Sequence, residues 1–192
     1  MDIKQLLHQD KTFEKITYAG IEVRGREFEN CSFRFCDFSN SNFSHNRFTN
    51  CQFIGCNLAL MKLNHATLDN VVFQDCKVIG LNFSECAAFL FTVRFENSLL
   101  DYASFMNRKM PKTLFRNSSL KHAVFTNALL GQSVFDNTDL QGAIFNTTNL
   151  QEANLVSAFN YAIDPELNNI KKAAFSPHGI IGLLAKYDIR VG

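Results

Sequence analysis

The chain has 192 residues, enough for one domain with a sizeable core. Lys and Arg total 19 and Asp and Glu total 18, so a formal net charge of +1 excludes the strong overall field of a typical nucleic-acid or membrane binder. No apolar run is long enough for a signal peptide or a membrane span, which predicts a soluble, cytoplasmic protein.

The first predicted element is an N-terminal cap over residues 1–17, which precede a regular repeat. From Tyr18 onward a large residue recurs at every fifth position, as in Phe28, Phe33 and Phe38. A helix would spread these side chains around its whole surface, and a strand would alternate them between two faces. The backbone must therefore turn once per repeat, so that each large residue points to a common axis.

The repeat continues in two runs, from Tyr18 to Phe83 and from Phe95 to Leu155. Phe83 and Phe95 are 12 positions apart instead of ten, which predicts a phase slip at residues 84–94 with a bulge or small loop. Two positions before each large residue the side chain is small. Two positions after it stands a residue suited to turns, often Asn or Gly, which predicts a corner.

This pattern resembles the pentapeptide-repeat family, for example at residues 143–147, and the resemblance extends from Tyr18 to Leu155. It implies an all-β solenoid over residues 18–158: a right-handed, quadrilateral β-helix of about seven coils, with four repeats per coil. Residues 20 apart should then stack. The expected core ladder consists of Phe28, Phe33, Phe38, Phe43, Phe48, Phe53, Phe95, Phe105, Phe115, Phe125, Phe135 and Phe145.

Residues 159–192 leave the repeat and are predicted to cap the rod and to mediate dimerisation. Ser176 followed by Pro177 is typical of a helix start, so a C-terminal capping α-helix is expected. Its apolar residues form the candidate dimer interface: Ile180, Ile181, Leu183, Leu184 and Tyr187.

The six cysteines fall at or near the small inward position of the repeat. They are Cys31, Cys36, Cys51, Cys56, Cys76 and Cys86. No CxxC pair occurs, so buried free thiols are favoured over a metal or redox site. Stacked pairs such as Cys36 and Cys56 could come within disulfide range, which a cytosolic setting disfavours.

Other candidate chemistry is sparse. His45 and His65 are 20 residues apart, and Glu85 continues their column. These three side chains could either bind a metal ion or form a solvated ladder. We favour the solvated ladder, because no residue is placed to orient the imidazoles. No phosphate-binding loop, nucleophile elbow or HExxH motif is present, and a filled rod offers no cleft. We expect no catalytic residue, cofactor or metal, and hence no enzyme.

Two surface features remain open. The stretch from Arg108 to Lys121 contains five basic residues and no acid, so it is either a solvated surface or a contact for an acidic partner. Arg108 falls in an inward slot, which predicts a distorted coil. Apolar residues also occupy the outward position just before several of the large residues. They either stabilise the strands or form an interaction patch: Leu114, Val124, Leu129, Val134 and Ile144.

Within the family, the chain looks most like the topoisomerase-interacting branch of quinolone-resistance proteins and microcin and albicidin immunity proteins. The resemblance rests on "ECAAFLFTVRFENSLLDYASF" at the slip, on "IDPELNNIKKAAF" at the exit from the coil and on the segment before "YDIRVG". It implies a homodimer of rods joined end to end through their C-terminal helices. Such a dimer would mimic duplex DNA, bind DNA gyrase or topoisomerase IV and protect it from inhibitors, without contacting nucleic acid or membrane directly.

DNA mimicry requires acidic residues, because duplex DNA has one negative charge per about 1.7 Å of axis. The candidate partner surface consists of Glu27, Glu29, Asp37, Asp69 and Asp75. The near-neutral composition departs from an acidic mimic, so the alternative is an interaction scaffold with an unrelated protein partner.

Overall fold

A computed structural model describes residues 5–190, which form an all-β parallel solenoid of about eight coils. The fold is therefore the one that the five-residue repeat predicts. Strands are short because the chain turns a corner every five residues. The strands in these residues are β1 (Leu7–Gln9), β2 (Thr12–Glu14), β3 (Glu27–Glu29), β4 (Ser32–Arg34), β5 (Arg47–Thr49), β6 (Gln52–Ile54), β7 (Thr67–Gln74), β8 (Phe91–Glu96), β9 (Leu114–Arg116), β10 (Val134–Asp136), β11 (Asn154–Leu155) and β12 (Ala174–Phe175).

Neighbouring coils pair in parallel, with partners 20 residues apart over most of the rod. Phe28 pairs with Phe48, and Phe33 pairs with Phe53. We number the four faces of the rod by the residues of one coil: face 1 contains Phe28, and faces 2, 3 and 4 contain Phe33, Phe38 and Phe43. Every other residue takes the number of the face on which it stacks.

The coil begins earlier than the sequence pattern indicates. Strands β1 and β2 pair in parallel with β3 and β4, and His8 and Phe13 are buried beneath them. The rod thus has about eight coils instead of about seven, because residues 7–14 join the first coil. The predicted cap over residues 1–17 overlaps this coil, and its residues 1–4 lie outside the described part of the chain.

Side chains at the corners form the expected ladders. Asn30, Asn50 and Asn70 have φ values of 51°, 53° and 53°, in the left-handed region that Asn tolerates better than most residues. The Asn50 amide donates to Asn30 Oδ1 at 3.2 Å, and the Asn70 amide donates to Asn50 Oδ1 at 2.9 Å. A second ladder joins Asn97, Asn117 and Asn137 in the same way. Each amide therefore links its corner to the next coil.

The interior is filled by stacked rings. The Phe28 and Phe48 ring centroids lie 4.9 Å apart, and those of Phe115 and Phe135 lie 5.0 Å apart, both nearly parallel. Rings meet edge to face both on adjacent faces, as Phe28 and Phe33 do, and on opposite faces, as Phe115 and Phe125 do, an arrangement that aromatic pairs favour. All twelve residues of the expected core ladder are buried. This packing leaves little space for a ligand inside the coils.

The phase slip lies in the coil between β7 and β8. Phe53 pairs with Phe73, 20 residues on, but Phe73 pairs with Phe95, 22 residues on. The two extra residues bulge on face 1, where Leu68 pairs with Phe91 and the register shifts before Val71. The regular pairing then resumes on the far side of the bulge.

The C-terminal segment is not an α-helix. It forms two short 3₁₀ helices, Gly179–Leu183 and Ala185–Tyr187. Tyr161 packs directly below them: a Cβ on Gly182 would lie 2.3 Å from the Tyr161 carbonyl oxygen. Glycine weakens an α-helix, and the close contact with Tyr161 holds the segment against the rod. Ser176 still caps the segment, since its Oγ accepts a hydrogen bond from the Gly179 N–H at 3.0 Å.

Candidate interaction surface

The small inward position of the repeat holds the coils together through hydrogen bonds. The Cys51 thiol donates to the Phe28 carbonyl at 3.3 Å, and the Cys76 thiol donates to the Phe53 carbonyl at 3.3 Å. Thr148 Oγ1 donates to the Phe125 carbonyl in the same manner, at 2.8 Å. Cysteine, serine and threonine therefore perform one structural task at equivalent positions.

All six cysteines are buried and unpaired by disulfides. Burial raises the pKa of the Cys51 thiol to about 12 and that of the Cys86 thiol to about 12. The thiolate is the reactive species, so these side chains are poor nucleophiles at neutral pH.

We expect native protein prepared without reductant to contain six free thiols that react slowly with a maleimide or an aromatic disulfide. In denaturant all six should react rapidly, because unfolding exposes them and restores an ordinary pKa. Rapid modification of several thiols in native buffer would show that the cysteines face outward and that the assigned register is wrong.

The two histidines of the possible metal column stack on each other. The His45 and His65 ring centroids lie 5.0 Å apart, while Glu85 accepts a hydrogen bond from the Asn64 amide. Within residues 5–190 no group of three or more His, Cys, Asp or Glu residues is arranged to hold a metal ion. In the same range, no helix has the length and apolarity to cross a bilayer.

The five acidic residues of the candidate partner surface do not share a face. Glu27, Glu29 and Asp69 lie on face 1, in the ladders formed by β3, β5 and β7. Asp37 lies on face 3, where it bridges to Asn57. Asp75 lies at the corner after face 2, where it accepts a hydrogen bond from the Asn97 amide. Only the three residues on face 1 can act as one acidic surface.

The basic stretch is also divided by the fold. Arg108 is only 7% exposed and points into the rod. Arg116 pairs with Asp136 and Lys121 pairs with Asp139, both at 3.3 Å. Burial pushes the pKa of Asp139 upward, but hydrogen bonds from Asn160, Gln141 and Lys121 outweigh it, so its pKa is below the ordinary value. Two exposed lysines without a recorded ion pair remain: Lys109 and Lys112, both on face 1.

Arg108 fastens the phase-slip loop from inside. Its guanidinium donates to the carbonyls of Ser84 at 2.9 Å and of Cys86 and Ala87 at 3.0 Å, and it lies 5.4 Å from the centre of the Phe91 ring. These side-chain hydrogen bonds bridge the coil that the bulge interrupts. The Arg108 coil itself stays regular, contrary to the expected distortion, since the Met110 N–H donates to the Leu129 carbonyl.

The outward apolar column does not form one patch. Leu114 and Val134 pair on face 2, Val124 bridges to Ile144 on face 4, and Leu129 lies on face 1. Only Leu129 and Ile144 are exposed among them, at 43% and 50%. Their shared property is suitability for strands.

The sequence pattern missed a set of bulky residues at exposed corners. Leu60 and Tyr102 have φ values of 57° and 62°, although Asn or Gly fits such corners better. Leu60 lies over Gly80, where an added Cβ would be 2.7 Å from Leu60 Cδ2, and His122 covers Gly142 in the same way. A bulky corner residue followed 20 positions later by glycine is a sequence signal that could have revealed Leu60 and His122, whereas Tyr102 stacks on His122 and has no such signal.

The C-terminal segment leaves the predicted dimer residues in two environments. Ile180, Ile181 and Tyr187 are about half exposed, at 49%, 52% and 51%. Leu183 packs against the core, and Leu184 is partly buried. Lys186 ties the segment to the rod through Asp164 at 2.8 Å and Glu166 at 2.6 Å, which lowers the pKa of both carboxyl groups.

Grooves flank this segment on two sides. One, of about 590 Å³, is lined by residues that include Phe159, Tyr161 and Ile181. The other, of about 410 Å³, is lined by residues that include Ile144 and Lys186. Concave, partly apolar surface is thus present on both sides of the C-terminal segment.

Comparisons with known proteins agree with this architecture. The model of a pentapeptide repeat region matches residues 26–105, and the model of pentapeptide repeats in eight copies matches residues 118–156. No curated protein is similar enough in sequence to match.

Among solved structures, full-length QnrB1, a plasmid-mediated fluoroquinolone resistance protein, is 15% identical with a TM-score of 0.65 over 93% of this chain and 100% of that chain. Two trypsin-treated variants of QnrB1 are each 17% identical, with TM-scores of 0.57 and 0.55. They cover 95% and 97% of this chain and 100% and 99% of theirs. At this low identity the TM-scores show a common fold and nothing more. With both family models matching and the ladders in place, the chain belongs to the pentapeptide-repeat family.

Proposed function

We propose that this protein is a non-enzymatic, cytoplasmic rod that binds a type II topoisomerase as a DNA mimic and protects it from inhibitors. The observation that supports this most is the fold likeness to full-length QnrB1, which includes 93% of this chain and 100% of that chain. The stacked core supports a role through the outer surface, since its rings fill the coils.

The acidic half of face 1 is the surface that suits this role. Glu27 and Glu29 project from β3 and Asp69 from β7, with Arg47 on β5 between them, and Asp10 stands at the adjoining corner. Coils are spaced by about 4.8 Å, so these carboxylates extend over roughly 15 Å of the rod. Carboxylates in a row on a rigid support can substitute for phosphates at a basic DNA-binding groove.

The protective form would be a dimer joined end to end through the C-terminal segment. Ile180, Ile181 and Tyr187 are exposed beside the two grooves, and a second C-terminal segment could fill the grooves and cover these side chains. Burial of such apolar surface contributes roughly 25 cal/mol per Å². A dimer would double the length of the rod and thereby the length of duplex that it could imitate.

In about 500 mM salt, which screens contacts between charged faces, we expect the unmodified protein to be a dimer at micromolar concentration and the Ile181→Glu variant to be a monomer. Ile181 is 52% exposed, so glutamate there should leave the coil intact and introduce unpaired charge into the interface. Multi-angle light scattering measures the mass, and circular dichroism checks the coil. Leu184→Glu should have the same effect. A monomeric unmodified protein would contradict the end-to-end dimer.

Binding to purified gyrase, measured by biolayer interferometry, tests the proposed function. Duplex DNA should compete, and affinity should fall steeply between low and high salt, because charge substitution is the proposed mechanism. A variant with Glu27→Gln, Glu29→Gln and Asp69→Asn should lose binding. Its matched control is Asp37→Asn with Asp75→Asn, which removes acids from other faces and should bind normally. Equal loss in both variants would contradict the assignment to face 1.

The alternative is an interaction scaffold with a partner other than a topoisomerase. The observation that favours it is the charge distribution: the formal net charge is +1, and the acids lie on several faces. Absence of binding to gyrase and topoisomerase IV at tens of micromolar, together with a folded dimer, would favour the scaffold.

A further inference from the structure

Face 1 is divided into two halves of opposite charge. The half before the phase-slip loop has Asp10, Glu27, Glu29 and Asp69 as acids, with Arg26 and Arg47 as bases, which gives −2. The half after the loop has Lys109, Lys112, Lys171 and Lys172 with Glu152 as the one acid, which gives +3. The division appears only in the fold, since the residues of each half are far apart in sequence.

An exposed apolar tip lies at the boundary between the two halves. Phe89 is 78% exposed and Leu90 is 38% exposed, on the loop that bulges next to Leu68. The hydrogen bonds from Arg108 to the carbonyls of Cys86 and Ala87 fix the base of this loop. A large apolar side chain held outward at a fixed place is a common feature of contact surfaces.

The two halves are placed symmetrically about the loop. Asp69 lies one coil before it and Lys109 one coil after it. Asp10 lies four coils before it and Lys172 four coils after it, at equivalent corners. If two rods are placed side by side in antiparallel orientation, a two-fold axis through the loops places each acidic half against the partner's basic half. The coils of Asp10 and Asp69 then lie opposite lysines, while the coil of Glu27 and Glu29 lies opposite the coil of Glu152. An in-register parallel pair would place like charges together.

We propose that face 1 binds a second copy of this chain in an antiparallel, side-by-side pair, with Phe89 of each copy at the two-fold axis. Asp69 of one protomer then meets the lysines at positions 109 and 112 of its partner, and Asp10 meets those at 171 and 172. This contact is separate from the end-to-end interface. Because it covers the acidic half, side-by-side pairing and binding of a topoisomerase exclude each other.

Sedimentation of the purified chain without any enzyme tests the proposal. Raising the salt from about 20 mM to about 500 mM should reduce the average mass by half, because screening shortens the Debye length from about 20 Å to about 4 Å. This halving applies where the ends are free, as in the Ile181→Glu variant. Where the ends are also paired, the two interfaces lie at different places along the rod and extend into an open array, so the fall in average mass should be larger. A mass that does not change with salt would overturn the side-by-side pair and leave the proposed function untouched, since no topoisomerase is present.

A charge exchange tests the orientation. Asp69→Lys alone and Lys109→Asp alone should each raise the dissociation constant of the low-salt pair by at least about tenfold. The two changes combined should restore it, because the antiparallel arrangement brings these positions together. Phe89→Ala should weaken the pair, whereas the control Phe35→Ala, an exposed ring at another corner, should not. Failure of the combined variant to recover, or equal effects of the two Phe changes, would overturn the proposal.

Discussion

Replacement of Phe125 by alanine is expected to lower the free energy of unfolding by about 3–5 kcal/mol. The ring is fully buried and stacks between Phe105 at 5.2 Å and Phe145 at 5.0 Å. Both neighbours are held by the backbone pairing of their own coils, so the site cannot collapse to fill the cavity. Chemical denaturation followed by circular dichroism measures the loss.

The control is Asn127→Ala, at the corner two residues later. It removes the hydrogen bond from Asn127 to Asn107 Oδ1 at 3.1 Å and places alanine at a φ of 58°. These effects should cost about 1–2 kcal/mol. Equal losses for the two variants would contradict the assignment of inward and corner positions.

Replacement of Arg108 by alanine is expected to cost about 2–4 kcal/mol, since hydrogen bonds to charged groups are stronger than average and the carbonyls they satisfy are partly buried. The change removes three hydrogen bonds to the slip loop and the contact with the Phe91 ring. The alanine variant no longer has the desolvation penalty of a buried guanidinium, which offsets part of the loss, but it also has a cavity, which adds to the loss. The loop should become sensitive to chymotrypsin near Phe89.

Lys109→Ala is the matched control, because Lys109 is adjacent, equally charged and exposed. Its effect should be within about 0.5 kcal/mol, with the protease resistance unchanged. If Arg108→Ala has the stability and protease resistance of the Lys109 variant, the arginine does not fasten the loop.

The fold could be predicted because each repeat repeats the same local constraint. Each repeat has a ring at every fifth position, a small residue two positions before it and a turn residue two positions after it. Only one backbone arrangement satisfies all three: the rings are buried in a ladder, and the corner residues have a positive φ, as Asn127 does at 58°. The first coil was missed because His8 replaces the usual large apolar residue, although it stacks on Phe28 at 5.0 Å. The C-terminal 3₁₀ helices were missed because only the tertiary contact of Tyr161 with Gly182 distinguishes them from an α-helix.

The surface was harder to predict than the core. Glu27 and Asp69 are 42 positions apart in sequence, and their common face depends on register, whereas Asp37 is closer to Glu27 in sequence and lies on another face. The basic stretch contains neighbours in sequence that the corners send to different faces, and Arg108 turns inward. Charge clusters along the chain are therefore a poor guide to charge clusters on a solenoid.

DNA supercoiling by gyrase in the presence of a fluoroquinolone tests the proposed function most directly. We expect the unmodified protein to restore supercoiling in a dose-dependent manner and salt to weaken this effect. The face 1 variant with Glu27→Gln, Glu29→Gln and Asp69→Asn should give no rescue, whereas Lys109→Gln with Lys112→Gln should rescue as well as the unmodified protein or better. If the folded, unmodified protein at tens of micromolar rescues neither gyrase nor topoisomerase IV, the proposed protection of a type II topoisomerase is contradicted.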